Sequence, residues 1–189
     1  MSDIRLLSRV DATHEIGLAH AVRCSRLVEN LSTRPKVTVV GNEQYLLKPL
    51  FGPVHYLENY DEDTYSILHG AFLVDCPRPH SVFHANRLKN LGVPKIVIDD
   101  YGGEIDADLI INGTVLEEYH QYPGRTNSSG ILCGAEFALI DPVFSATTWQ
   151  RPGTDNVLTI VAGGGNRAAL WVKNLVKYAS NLENLCKIN

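Results

Sequence analysis

Short apolar runs alternate with longer amphipathic stretches through most of this 189-residue chain. Runs at 4–10, 36–40, 53–57, 71–74, 94–98 and 108–111 are rich in Val, Ile and Leu, as strands covered on both faces should be. Between them, 18–31, 43–50, 61–69 and 81–91 read as helices. In the first, Val22, Leu27 and Val28 form an apolar stripe, with Arg23, Arg26 and Glu29 on or near the other side. Gly70 and Gly92 close two of the helices, and Pro53 stands at the start of its strand, where proline is tolerated. This alternation predicts an α/β fold with a doubly wound, mainly parallel, Rossmann-like sheet.

The pattern changes after the sixth strand. Residues 119–129 are polar and rich in Gly, Pro, Asn and Ser, which predicts a loop or lid. Runs at 131–133 and 137–140 flank Gly134 as a further extended segment. Pro142, Pro152, Gly153 and Asp155 mark a linker, followed by a strand at 157–161, a triple glycine and a helix over 166–180. The expected division is therefore a first domain over 1–150, then 151–189 as a linker with the opening strand and helix of a truncated second domain.

Composition narrows the class. A single domain of this size buries roughly 70 % of its unfolded surface and needs no disulfide staple. The formal net charge of −4, with Lys and Arg scattered, speaks against a nucleic-acid partner. Cys24, Cys76, Cys133 and Cys186 form no C-x-x-C pair and read as reduced thiols in a cytoplasmic protein. The first residues lack the apolar core of a signal peptide, and no run approaches the ~20 apolar residues that span a bilayer.

The polar end of the first strand is the strongest chemical signal. There Arg9, Asp11, Thr13, His14 and Glu15 precede Gly17, and His20 falls in the first turn of the next helix. In an open α/β sheet the carboxyl ends of the strands face the ligand crevice. A helix N-terminus disfavours an imidazolium, so it should keep His20 neutral and able to take a proton from water or a hydroxyl. Asp11 can orient His20 or bind a substrate hydroxyl, and either Asp11 or Thr13 can cap the helix, Thr13 being preferred.

Other strand ends add candidates. Asp75 and the pair Asp99-Asp100 should point to the same crevice, one member of the pair being structural. Asn112, with Gly113 and Thr114, suits a sugar hydroxyl or a backbone clamp. Gly163, Gly164, Gly165 and Asn166 look like a phosphate cradle, although a tight strand-to-helix turn needs glycine too. His55, His69, His80, His84 and His120 show no ligand spacing, and the reading requires neither metal nor cofactor.

Four motifs, in order, resemble one family. They are Arg9-Val-Asp11 with Ile16-Gly17-Leu-Ala-His20 and Arg23; Asp99-Asp100 before Asp108-Leu-Ile-Ile-Asn112; Cys133-Gly-Ala-Glu-Phe137-Ala-Leu-Ile140; and Ile160-Val-Ala-Gly163-Gly164. They resemble the nucleotide-sugar hydrolases of pseudaminic-acid biosynthesis and the related spore-coat polysaccharide proteins. That resemblance implies a GT-B fold, with two Rossmann-like domains and the site between them. It implies that His20 is the general base, activating water or an acceptor hydroxyl at the anomeric carbon of a UDP- or CMP-sugar. Arg9, Gly17, Asp99, Asp100, Asn112 and Thr114 would then bind substrate, with Asp11 and Asp75 beside the base.

The chain departs from that pattern at Asp75-Cys76-Pro77-Arg78, where the family has Asp-His-Tyr-Gly, and Tyr101 is the tyrosine nearest in kind. Two alternatives follow: a non-catalytic or accessory sugar-binding subunit, or a small-molecule enzyme of another class built on the same corner. The truncated second domain and the apolar residues of the last helix (Leu170, Trp171, Leu175, Val176, Tyr178) predict a homodimer or a complex with a chain that supplies the missing half.

Overall fold

A computed structural model describes residues 5–58, 70–78, 80–87, 92–125, 130–146, 157–158, 160, 166–180 and 187–188. Within them, β1 (Arg5–Val10), α1 (Ala19–Glu29), β2 (Lys36–Val40), α2 (Gln44–Phe51) and β3 (His55–Leu57) come first. Then follow β4 (Ala71–Asp75), α3 (His80–Arg87), β5 (Lys95–Ile98), β6 (Leu109–Asn112) and β7 (Ile131–Cys133). The short α4 (Val143–Ala146), β8 (Val157–Leu158), α5 (Asn166–Ala179) and β9 (Lys187–Ile188) complete the order. The predicted helix at 61–69 and the glycines Gly163, Gly164 and Gly165 lie outside the described residues.

Seven strands form one sheet in the order β3-β2-β1-β4-β5-β6-β7, every neighbouring pair parallel. This is an α/β, Rossmann-like fold. The strand order reverses between β1 and β4, and that is where such sheets open a ligand crevice at their carboxyl edge. β8 and β9 pair with each other in a separate parallel ribbon.

The strand period of two sorts the core into two layers. Leu6, Val10, Val39, Leu73 and Ile98 pack with Ala21 and Cys24 of α1 and Leu47 of α2. Leu7, Val40, Phe72, Val74 and Val97 pack on the other face with Ala85 of α3, Ile110 and Tyr122. Each fully buried Leu, Val or Phe contributes roughly 1.5–3 kcal/mol of transfer free energy. The same parity decides where each residue at a strand end points.

Three local expectations change. Of the extended segment expected around Gly134, only Ile131–Cys133 joins the sheet. Gly134 (φ 121°) turns the chain into a 3₁₀ turn at Ala135–Phe137, after which Ala138 is extended but pairs with no described strand. The segment then crosses Gly113 so closely that a Cβ there would lie 2.4 Å from the Ala138 Cα. β3 begins at His55 rather than at Pro53, which has no N–H for the ladder and follows the turn at Gly52 (φ 66°). Thr13 does not cap α1. Its Oγ1 accepts the N–H groups of Glu15 and Ile16, so it holds the turn instead, and Leu18 precedes the helix with no side-chain cap.

Candidate functional site

Gly17 closes the turn after β1 with φ 81° and donates its N–H to the Thr13 carbonyl at 2.8 Å. That turn delivers His20 as the second residue of α1, at the carboxyl edge of the sheet. Across the reversal point, Val10 pairs with Asp75 at the end of β4. Asp75 shares the face of Leu73 and so projects towards α1. Its Oδ1 lies 2.7 Å from His20 Nδ1 and 2.6 Å from Arg23 Nη2, and its Oδ2 accepts Arg23 Nε at 2.7 Å. Arg23, one helical turn beyond His20, reaches on to Asp100 with bonds of 2.6 and 2.9 Å.

The Asp75 carboxylate is fully buried, whereas the His20 side chain is 16 % exposed. An ionised carboxylate only accepts, so the Asp75 bond assigns the proton of a neutral His20 to Nδ1 and leaves a lone pair on Nε2. In that tautomer the 3.2 Å approach of Arg23 Nη2 to Nδ1 is a contact, not a bond. Nε2 has no hydrogen-bond partner among the described residues. Burial works against the Arg23 charge, but the bonds from Asp75 and Asp100 outweigh it and push the guanidinium pKa up. Arg23 is thus a fixed cation that aligns both carboxylates.

Asp11 does not orient His20. It shares the parity of Leu7 and Arg9, so it points to the opposite face. There its Oδ1 accepts Arg9 Nη2 at 2.5 Å and its Oδ2 lies 2.9 Å from His80 Nδ1. Burial acts to raise the Asp11 pKa, but the Arg9 charge and the bonds from His80 and Arg9 prevail and hold the carboxyl below its usual range. Arg9 itself is 7 % exposed. Behind them, burial and the Arg9 charge lower the His84 pKa to about 4.

The Asp99-Asp100 pair divides by the same rule. Asp99 takes the α3 face, where its Oδ2 accepts Gly102 N–H at 2.7 Å and the Tyr122 hydroxyl at 2.9 Å and its Oδ1 accepts Arg78 Nε at 3.2 Å. It is the structural member. Asp100 takes the α1 face, with Arg23. Asn112 is fully buried, donating to the Tyr119 carbonyl and to the Tyr122 hydroxyl and accepting Thr114 N–H, so its amide braces the strand end.

Beside the Arg23–Asp100 pair lies a cavity of about 270 Å³, lined by Thr114, Phe137 and Leu139 among others. A larger hollow of about 660 Å³ lies by His120, Tyr122 and Cys133, and none of the His20 or Asp75 atoms lines it. Asn166 opens α5. Tyr101, exposed, packs edge-on against Tyr119. Among the described residues no three His, Cys, Asp or Glu side chains converge as a metal site.

Two residues carry more than the sequence reading gives them. Arg23 enters there only as part of a motif, although its three-residue spacing from His20 is one helical turn. His80 enters only as a histidine without ligand spacing, although it opens the helix after β4 as His20 stands at the start of the helix after β1.

The chain matches no family model, and no curated protein is significantly similar to it.

Proposed function

We propose that this chain is an enzyme acting on a nucleotide-activated sugar, by hydrolysis or by transfer to an acceptor hydroxyl. The observation that carries the reading is the His20–Asp75 pair: a buried carboxylate on Nδ1 and an open Nε2, set at the reversal point of a parallel sheet. Such a pair takes a proton from water or a hydroxyl as it attacks an electrophilic carbon. The Arg9-x-Asp11 and Ile16-Gly17-x-x-His20 pattern, similar to that of the nucleotide-sugar hydrolases, supplies the substrate class. The cavity lined by Arg23, Asp100 and Thr114 offers polar groups for sugar hydroxyls together with the apolar side chains of Ile98, Ile111 and Leu139. Incubation with UDP- and CMP-sugars, followed by assay of free nucleotide, tests the reading. Release of UDP or CMP supports it, and neither turnover nor nucleotide binding with any member of the panel would overturn it.

A non-catalytic sugar-binding subunit is the second reading. It is favoured by Arg78, which turns to Asp99 in the segment where the resembled family carries His-Tyr-Gly. Calorimetric binding of a nucleotide sugar without turnover would select it. In either case α5 presents Leu170, Trp171, Leu175 and Tyr178 to solvent, which supports association with a second chain. Light scattering on the purified chain checks this, a monomer counting against it.

A further inference from the structure

The two strand ends at the reversal point hold each other's histidines. Asp75, ending β4, holds His20 of the helix that follows β1; Asp11, just past β1, holds His80 of the helix that follows β4. Because Asp11 and Asp75 project to opposite faces, the two imidazoles stand on opposite faces of the sheet, both at its carboxyl edge beside the reversal point.

The two sides differ in what they lack. On the α1 side, Arg23 is saturated by two carboxylates, and the open group is the Nε2 acceptor of His20. On the α3 side there are donors to spare. Arg9 Nε, Arg78 Nη2 and Ser81 Oγ are buried polar groups without a partner, and the residues Arg9 and Ser81 are 7 % and 1 % exposed. His80 opens α3 with its side chain 62 % exposed and Nδ1 fixed on Asp11. Buried donors without acceptors are rare, and these three, one on β1, one on the turn after β4 and one on α3, are groups that an oxyanion would satisfy.

We propose that His80 is a catalytic residue that binds and protonates the phosphate leaving group, opposite His20. This rests on the reading of the site as one for nucleotide sugars. Water loses a proton to His20 Nε2 as its oxygen bonds to the anomeric carbon. The bond from that carbon to the phosphate oxygen breaks with its electron pair going to the oxygen. In this step His80 acts as the imidazolium, with Nδ1–H on Asp11 and the Nε2 proton passing to that oxygen, and solvent resets both imidazoles.

Binding of the released nucleotide tests this without turnover. UDP and CMP are titrated calorimetrically into wild type, His80→Ala and His20→Ala, with the imidazole resonances of ¹⁵N-histidine-labelled wild type followed in parallel. Loss of one charge-assisted bond should raise the Kd roughly ten- to a hundredfold in His80→Ala. His20→Ala should lose less affinity than His80→Ala, and the resonance missing in His80→Ala should be the one the nucleotide moves. His80 is exposed and alanine favours helix, so the variant should fold. Equal affinity in His80→Ala with an unmoved His80 resonance overturns this inference and leaves the proposed function standing. Failure of wild type to bind either nucleotide overturns this inference and counts against that reading as well.

Discussion

Asp75 accepts a hydrogen bond from His20 at 2.7 Å across a sequence separation of 55 residues, and it does so from full burial. The bond exists because β1 and β4 are neighbours and Val10 pairs with Asp75. Asp75 also anchors Arg23, so one carboxylate fixes both the ring of the candidate base and the cation behind it. Replacing it with asparagine should therefore do two things. The Arg23 charge loses a buried partner, which costs roughly 3–5 kcal/mol where such a pair is broken. The amide has one acceptor oxygen where the carboxylate had two, so His20 and Arg23 compete for it. The His20 tautomer is no longer fixed, and turnover should fall roughly 10²–10⁴-fold. Urea denaturation and initial rates of nucleotide release check the two effects separately.

Asp99 and Asp100 are adjacent in sequence but should behave differently. Asp99→Ala strands the Gly102 N–H and the Tyr122 hydroxyl and should destabilise by roughly 1–3 kcal/mol. Asp100, with its side chain 37 % exposed, shares Arg23 with Asp75, and Asp100→Ala should cost less than about 1 kcal/mol. Denaturation midpoints of the two variants under one condition settle the order.

Gly17 holds the left-handed turn that sets the start of α1. An L side chain at φ 81° is strained by roughly 1–2 kcal/mol, so Gly17→Ala should lower stability by about that amount. Its rate defect should exceed its stability defect if the turn positions His20. Comparing kcat with the melting temperature of the variant tests this.

Acid should weaken the fold in two windows. His84 has a folded pKa lowered to about 4, by burial first and then by Arg9, against 6.5 when free. The unfolded chain therefore binds the extra proton, and stability is lost as pH falls from 6.5 towards 4. Asp11, held below its ordinary value of 3.8, loses its contribution only below that pH. Urea midpoints measured from pH 7 to 4 should fall in wild type and fall less in His84→Gln.

Cys24 and Cys76 are free, buried thiols whose pKa values are raised, chiefly by burial and secondarily by nearby carboxylates. Neither should react with a thiol reagent until the chain unfolds, while the half-buried Cys133 should react in the native state. Mass spectrometry after brief alkylation of the folded protein identifies which cysteines carry the label.

The parallel sheet was legible because Val- and Ile-rich runs such as 36–40 and 94–98 alternate with helical spacing, and both became strands. The run at 137–140 carried the same apolar signal, yet the left-handed Gly134 and the close crossing at Gly113 took it out of the sheet. His20 was legible from its glycine turn. Its partner was not, because which acid meets it depends on the register of β1 against β4 and on strand parity, and neither is written in local sequence. Asp11 is nearer in the chain but faces the other way. His80 was hidden for the same reason: the turn before it, Cys76-Pro77-Arg78, has no glycine to mark a site.

The most direct measurement is the rate of nucleotide release from the best UDP- or CMP-sugar by wild type and by His20→Ala, with folding of both verified by circular dichroism. A base held by Asp75 predicts a fall of roughly 10²–10⁴-fold in kcat with the fold intact. An unchanged rate in folded His20→Ala would contradict the account.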